Sequence, residues 1–156
     1  MKSLIINDLY KSYDDTEVLK GINIDLDPGE FLVLVGPSGC GKSTLLSTIA
    51  GLEETNKGTI SLGENDITHA SPKDRGLAMV FQSYALYPNM TVRENIEFGL
   101  KISKYSKEEI EQRIQSAADI LHIEALLNRK PGQLSGGQRQ RVAIARSISR
   151  EPDMYL

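Results

Sequence analysis

At 156 residues, 40% of them hydrophobic and 25% charged, the chain has the composition of a globular domain with room for one sizeable core. A net charge of −3 argues against a nucleic-acid partner held on a basic surface. The longest strongly apolar run, residues 31–35, is far too short to cross a bilayer as a helix. Residues 1–7 are too short and turn polar too soon for a signal peptide, and a single cysteine, Cys40, excludes an internal disulfide and suits a reducing compartment. A cytosolic protein is the expectation.

The first thirty residues are predicted as strands. Leu4-Ile5-Ile6 leads to Leu9-Tyr10-Lys11-Ser12-Tyr13 and then to an acidic turn at Asp14-Asp15. Leu19, Ile22, Ile24 and Leu26 partly alternate with polar residues, as in a half-exposed strand. Asp27-Pro28-Gly29-Glu30 is a turn signal, and the apolar run Phe31-Leu32-Val33-Leu34-Val35 behind it is predicted as a buried strand.

That run opens onto Gly36-Pro37-Ser38-Gly39-Cys40-Gly41-Lys42-Ser43, which fits the phosphate-loop pattern G-x-x-x-x-G-K-[ST]. A helix is predicted next, from Ser43 to a stop at Gly51. Strand, glycine-rich loop and helix form the setting in which this pattern grips a nucleoside triphosphate. The glycines let backbone N–H groups turn inward on a phosphate chain at the positive end of the helix dipole. Lys42 is expected to reach the β- and γ-phosphates and the Ser43 hydroxyl to hold Mg²⁺. Cys40 in this loop reads as a small packed residue, not as a redox or catalytic group.

Further on, Thr59-Ile60-Ser61-Leu62 and Leu77-Ala78-Met79-Val80-Phe81 are predicted strands, with the polar stretch from Thr68 to Gly76 a surface loop between them. Helical patterning then takes over. Thr91-Val92-Arg93-Glu94 is a capping box opening a helix that runs to about Leu100, and Ser106-Lys107-Glu108-Glu109 is a second. Behind the second, Ile110, Ile114, Ala117, Ala118 and Leu121 fall on one face, with Glu108, Glu109, Glu111, Gln112 and Arg113 as its solvated side. A last helix is predicted from Gly137 to Ser149, with Val142, Ala145 and Ile148 inward and Pro152 beyond its end. Leu134-Ser135-Gly136-Gly137-Gln138 stands at its start. Ser135 can cap the helix, and the glycines leave N–H groups open to close approach by an anion.

The phosphate loop, the run from Leu134 through Arg146 and Val80-Phe81-Gln82, in that order, resemble the nucleotide-binding subunits of ATP-binding-cassette (ABC) transporters over essentially the whole chain. The resemblance implies an α/β fold. Residues 1–82 would form a P-loop NTPase core with an N-terminal antiparallel β-subdomain, residues 83–134 an inserted helical subdomain, and residues 135–156 the signature helix and the start of the next core strand.

By the same resemblance Tyr13 would stack on adenine, although an ordinary strand tyrosine is the other reading. Val18 would lie against the base, and the nucleotide would be held by Gly36, Pro37, Ser38, Gly39, Cys40, Gly41, Lys42, Ser43 and Thr44, with Thr44 on the α-phosphate. Gln82 would meet Mg²⁺ and the attacking water. Leu134, Ser135, Gly136, Gly137 and Gln138 would face ATP bound by a second copy, in a head-to-tail dimer. The middle section, from Ser71 to Val92, is similar to importers of oligosaccharides and glycerol-3-phosphate. There the segment from Ser83 to Val92 meets the transmembrane permease, which places the protein peripherally on the cytoplasmic face of the membrane. Tyr84, Leu86, Tyr87 and Met90 would form the docking surface, and each equally suits packing within the helical subdomain.

The aspartate and glutamate that complete the family's catalytic site are not in the sequence, and His69 and His122 lie in the wrong regions to be its histidine. The resemblance therefore implies an ATPase subunit driving solute import, of a sugar or sugar phosphate in the parent protein; the alternative is a truncated and inactive nucleotide-binding module. The 156-residue chain alone is expected to fold poorly and hydrolyse ATP slowly if at all. A soluble ABC ATPase of DNA repair is disfavoured, because residues 83–133 contain no heptads and no basic face.

Overall fold

The computed structural model describes residues 1–156, which divide into two compact units, residues 1–77 with Leu156 and residues 78–155. The first is built on an antiparallel sheet. Strands β1 (Leu4–Tyr13) and β2 (Thr16–Leu26) form a hairpin whose turn places Asp14 at φ 48°. Strand β1 pairs on its other side with β3 (Lys57–Leu62), and the short β4 (Asn65–Asp66) completes the order β2-β1-β3-β4.

Leu4 and Ile6 are buried, and so are Leu9 and Lys11, so the inward face of β1 changes parity between residues 6 and 9. Asp8, at φ 45°, marks the irregularity, and the register with β2 slips between Ile6 and Leu9. A bulge of this kind lets one strand serve two inward sets. The sequence shows it as two apolar segments; the structure joins them in one ten-residue strand.

Helix α1 (Lys42–Ala50) follows the phosphate loop and ends at Gly51, whose φ of 78° supplies the left-handed cap that favours glycine. Three expectations need correction in this region. Residues 31–35 are not a buried strand: they pair with no other strand, and Phe31 and Val35 are 91% and 89% exposed. An apolar run of this type becomes a strand only with neighbours on both sides to take its N–H and C=O groups, and the chain sets none beside it. The strand expected over residues 77–81 shrinks to β5 (Leu77–Ala78), which pairs only with β6 (Met154–Tyr155).

The third correction concerns the loop from Thr68 to Gly76. It is polar, but Thr68 and Arg75 are buried. Arg75 donates to the carbonyls of Thr48 and Ile49 at 2.8 and 2.7 Å, and to those of Ala70 and Thr68 at 2.9 Å each. The guanidinium thus satisfies the last carbonyls of α1, a helix with no basic residue in its own last turn. Burial pushes its pKa below the usual arginine value. Composition marks such a segment as surface because it cannot show that one arginine will find four carbonyls.

The second unit is helical. Helices α2 (Val92–Ile102), α3 (Lys107–Leu121) and α4 (Gly136–Ile148) each open with a reciprocal capping box, at Thr91/Glu94, Ser106/Glu109 and Ser135/Gln138. Their apolar faces meet in one core in which Val92, Ile96, Leu100, Ile114 and Val142 are essentially inaccessible to solvent. The solvated side of α3 is as expected apart from Arg113, which is half-buried over the Tyr105 ring and bonded to the Ser149 carbonyl and the Glu151 carboxylate.

Candidate nucleotide-binding site

The phosphate loop belongs to the first unit. Gly41 stands at the N-cap of α1 with φ 93°, and a Cβ there would come within 3.1 Å of Val18 Cγ1 and 3.3 Å of the Val18 carbonyl oxygen. Glycine is therefore required twice over, by the backbone angle and by the approach of β2. The same contact brings Val18 against the loop. No side chain caps α1 and its first turn has no acidic residue, so the N–H groups at the head of the helix compete with no internal anion.

Lys42 lies back across the loop. Its ammonium donates to the carbonyls of Gly36 at 2.8 Å and Pro37 at 2.7 Å, and meets Cys40 Sγ at 3.4 Å. Those acceptors are neutral, so anionic phosphate oxygens would form the stronger bonds. Ser38, Gly39, Cys40 and Ser43 are exposed, and Thr44 is half-buried at the start of α1. The loop offers a cation and an exposed hydroxyl at the head of a helix that no side chain caps.

Tyr13 ends β1 in the same unit and is 42% exposed. Sequence reasoning missed its neighbour. Lys11 is buried, with its ammonium 4.9 Å from the Tyr13 ring centroid. The only signal was a lysine two residues before the aromatic, on the face that the bulge turns inward.

Gln82, the sequence's candidate for Mg²⁺ and water, lies in the second unit as an exposed turn residue. The signature residues are also there. Ser135 accepts from the Gln138 N–H at 3.3 Å, and Gln138 Oε1 accepts from the Ser135 N–H at 2.9 Å. Leu134 is 5% exposed and belongs to the helical core, so it anchors the turn and presents nothing to solvent. Gly136 and Gly137 are exposed, and a Cβ on either would meet nothing within 4 Å. The chain's own packing gives no reason for glycine in this first turn, where each costs roughly 1 kcal/mol of helix stability relative to alanine.

The segment from Ser83 to Val92 is fixed by two side chains that sequence reasoning also missed. Asn95, fully buried, donates to the carbonyls of Tyr87, Met90 and Thr91 and accepts from the Tyr87 N–H. Arg146 donates to the carbonyls of Ala85 at 2.7 Å and Tyr84 at 3.2 Å, two residues held at positive φ. Tyr87 rests on Phe98 with ring centroids 5.0 Å apart, and both remain partly exposed. Leu86 packs against the helical core, so the four aligned apolar residues divide between packing and surface.

No group of three or more His, Cys, Asp or Glu side chains is placed to hold a metal ion. A site for Mg²⁺ built on Ser43 would depend on oxygens from the nucleotide itself, which is how this cation is usually held beside phosphates. The exposed hydroxyl at the head of α1 is compatible with that use.

The sequence profile of the ABC transporter family matches residues 19–156. The chain is 58% identical over 157 aligned positions to the sn-glycerol-3-phosphate import ATP-binding protein of Brucella abortus, which covers all of this chain and 45% of that protein. It is 54% identical to the lactose transport ATP-binding protein of Rhizobium radiobacter, covering 43% of it. The chain thus spans less than half the length of these relatives. Among solved structures, a bacterial ABC transporter cassette determined as a dimer superposes on 97% of this chain and 72% of its own, at 34% identity and a TM-score of 0.86. The same cassette in a post-hydrolysis state bound to ADP and Pi gives the same figures.

Proposed function

The chain belongs to the ABC transporter family, and we infer that it forms the N-terminal part of an ATPase subunit that drives import of a sugar or sugar phosphate. One observation carries the reading: a complete phosphate loop at the head of an uncapped helix, with Lys42 over the loop and Val18 against it. ATP arriving there exchanges two neutral carbonyls on Lys42 for anionic oxygens. Ser43 would hold Mg²⁺, Thr44 would bond the α-phosphate, and Tyr13 and Val18 would take the base. The cation would neutralise charge on the transferring phosphoryl group. Gln82 would orient the attacking water, as the family resemblance implies.

The signature turn serves a second copy. Gly136 and Gly137, exposed and with open space around them, lie at the head of α4, which suits docking of its first turn, with the Ser135 hydroxyl, onto the γ-phosphate of a partner's ATP. The segment from Ser83 to Val92, stiffened by Asn95 and Arg146, is the surface for the permease. The chain spans less than half the length of its relatives, so turnover is proposed for the whole subunit.

The test is Gly137→Asp in the full-length product assembled with its permease. The substitution has open space, so the fold survives. ATP affinity of the isolated subunit is expected to stay unchanged while Mg-dependent turnover falls by at least about a hundredfold, the scale of losing one preorganised donor to transition-state charge. Unchanged turnover would remove the signature turn from the reaction.

A further inference from the structure

The end of the phosphate-loop helix and the aromatic end of β1 are strapped together. Residues 53–56, just past the Gly51 cap, bind β1 at successive positions. The Thr55 hydroxyl and the Asn56 N–H both donate to the Tyr10 carbonyl at 2.9 Å, and the Ser12 N–H donates to Asn56 Oδ1 at 2.7 Å. Lys11 sits in the middle of the strap. Its ammonium donates to the Glu54 carbonyl at 2.8 Å, pairs with the Glu53 carboxylate at 3.1 Å, and lies 4.9 Å from the Tyr13 ring centroid.

These three contacts join the two ends of a nucleotide site. Glu53 and Glu54 follow the helix whose head would take the phosphates, and Tyr13 is the aromatic that would take the base. A cation over one face of the ring fixes its tilt, because tipping the ring away gives up the attraction to its π-system. The ammonium cannot follow freely: a carboxylate and a carbonyl also hold it, and the side chain is only 11% exposed. A ring with two soft torsions is thereby set at a defined place relative to α1.

We propose that Lys11 is a positioning residue that holds Tyr13 in register with the phosphate loop, so that it governs affinity for the base half of the nucleotide and not for its phosphate half. The proposal rests on the ATP-binding reading above and deepens it. Loss of the cation leaves α1 and its loop intact and lets the Tyr13 ring rotate.

The experiment compares Kd for ATP and for inorganic tripolyphosphate, by calorimetry on the full-length product. Lys11→Met is expected to weaken ATP about tenfold, the scale of a desolvated cation–π contact, with tripolyphosphate unchanged. Lys11→Arg, which keeps a cation at the ring, restores most of the loss. In a Tyr13→Ala background, Lys11→Met has no further effect on ATP. If Lys11→Met is too unstable to measure, Glu53→Gln, which frees the ammonium from one side, should weaken ATP in the same selective way. Equal weakening of both ligands, or unchanged ATP affinity, would overturn the role of Lys11 while leaving the binding reading in place. A Tyr13→Ala variant that binds ATP as well as wild type would overturn this inference alone, whereas a wild-type protein that binds no ATP would overturn that reading and this inference together.

Discussion

The helical unit and the nucleotide unit treat apolar residues in opposite ways. In the helical unit the periodic residues all turn inward: Ile96, Leu100 and Ile114 are at most 1% exposed, and each of the three helices has its own capping box. In the nucleotide unit the densest apolar run of the chain, residues 31–35, lies open. The difference is one of locality. A helix satisfies its backbone within itself and needs only one apolar face from its neighbours. A strand flanking a phosphate loop depends for every hydrogen bond on segments far away in sequence.

The widest separation between the two units is expected in core truncations of the 156-residue chain. Ile114→Ala should cost about 2–5 kcal/mol, because it empties a buried site in a closed core. Val33→Ala, at an exposed position, should change stability by less than about 0.5 kcal/mol. Urea denaturation reads both. Similar costs would mean that residues 31–35 are packed and that the contrast is wrong.

A smaller effect sharpens the same point through the caps. Ser106→Ala should cost about 1 kcal/mol, since it removes the hydroxyl that accepts the Glu109 N–H. The Glu109 carboxylate accepts the Ser106 N–H at 2.8 Å, and this bond, with help from the hydroxyl, holds its pKa below the usual value. The bond from the Thr91 N–H does the same for Glu94. A carboxylate whose pKa is lower in the folded state adds stability above its unfolded pKa, near ~4.3, and loses it as pH falls through the lower folded value. The helical unit should therefore weaken on acidification below about pH 5. Glu109→Gln should flatten that slope, and an unaltered pH profile would count against the capping geometry.

The same contrast governs what the sequence could reveal. Helix starts were legible to within one residue, because Thr91, Ser106 and Ser135 are chemical punctuation that acts over three positions. The phosphate loop was legible because its glycines and lysine act within one turn. Arg75, Lys11, Asn95 and Arg146 were not. Each is an ordinary polar residue with at least one partner on another segment, and local patterning carries no trace of that partner. The strand over residues 31–35 failed for the converse reason: its apolar pattern was real, but pattern alone cannot supply neighbours.

The central claim is that the loop over α1 grips a nucleoside triphosphate, and a titration of the full-length product with MgATP tests it most directly. Wild-type protein should bind, and Lys42→Ala should bind at least about thirtyfold more weakly, as the loss of charge-assisted bonds to phosphate requires. Equal affinity in the two proteins would contradict the account, because the loop would then be an ornamental turn with a solvated lysine.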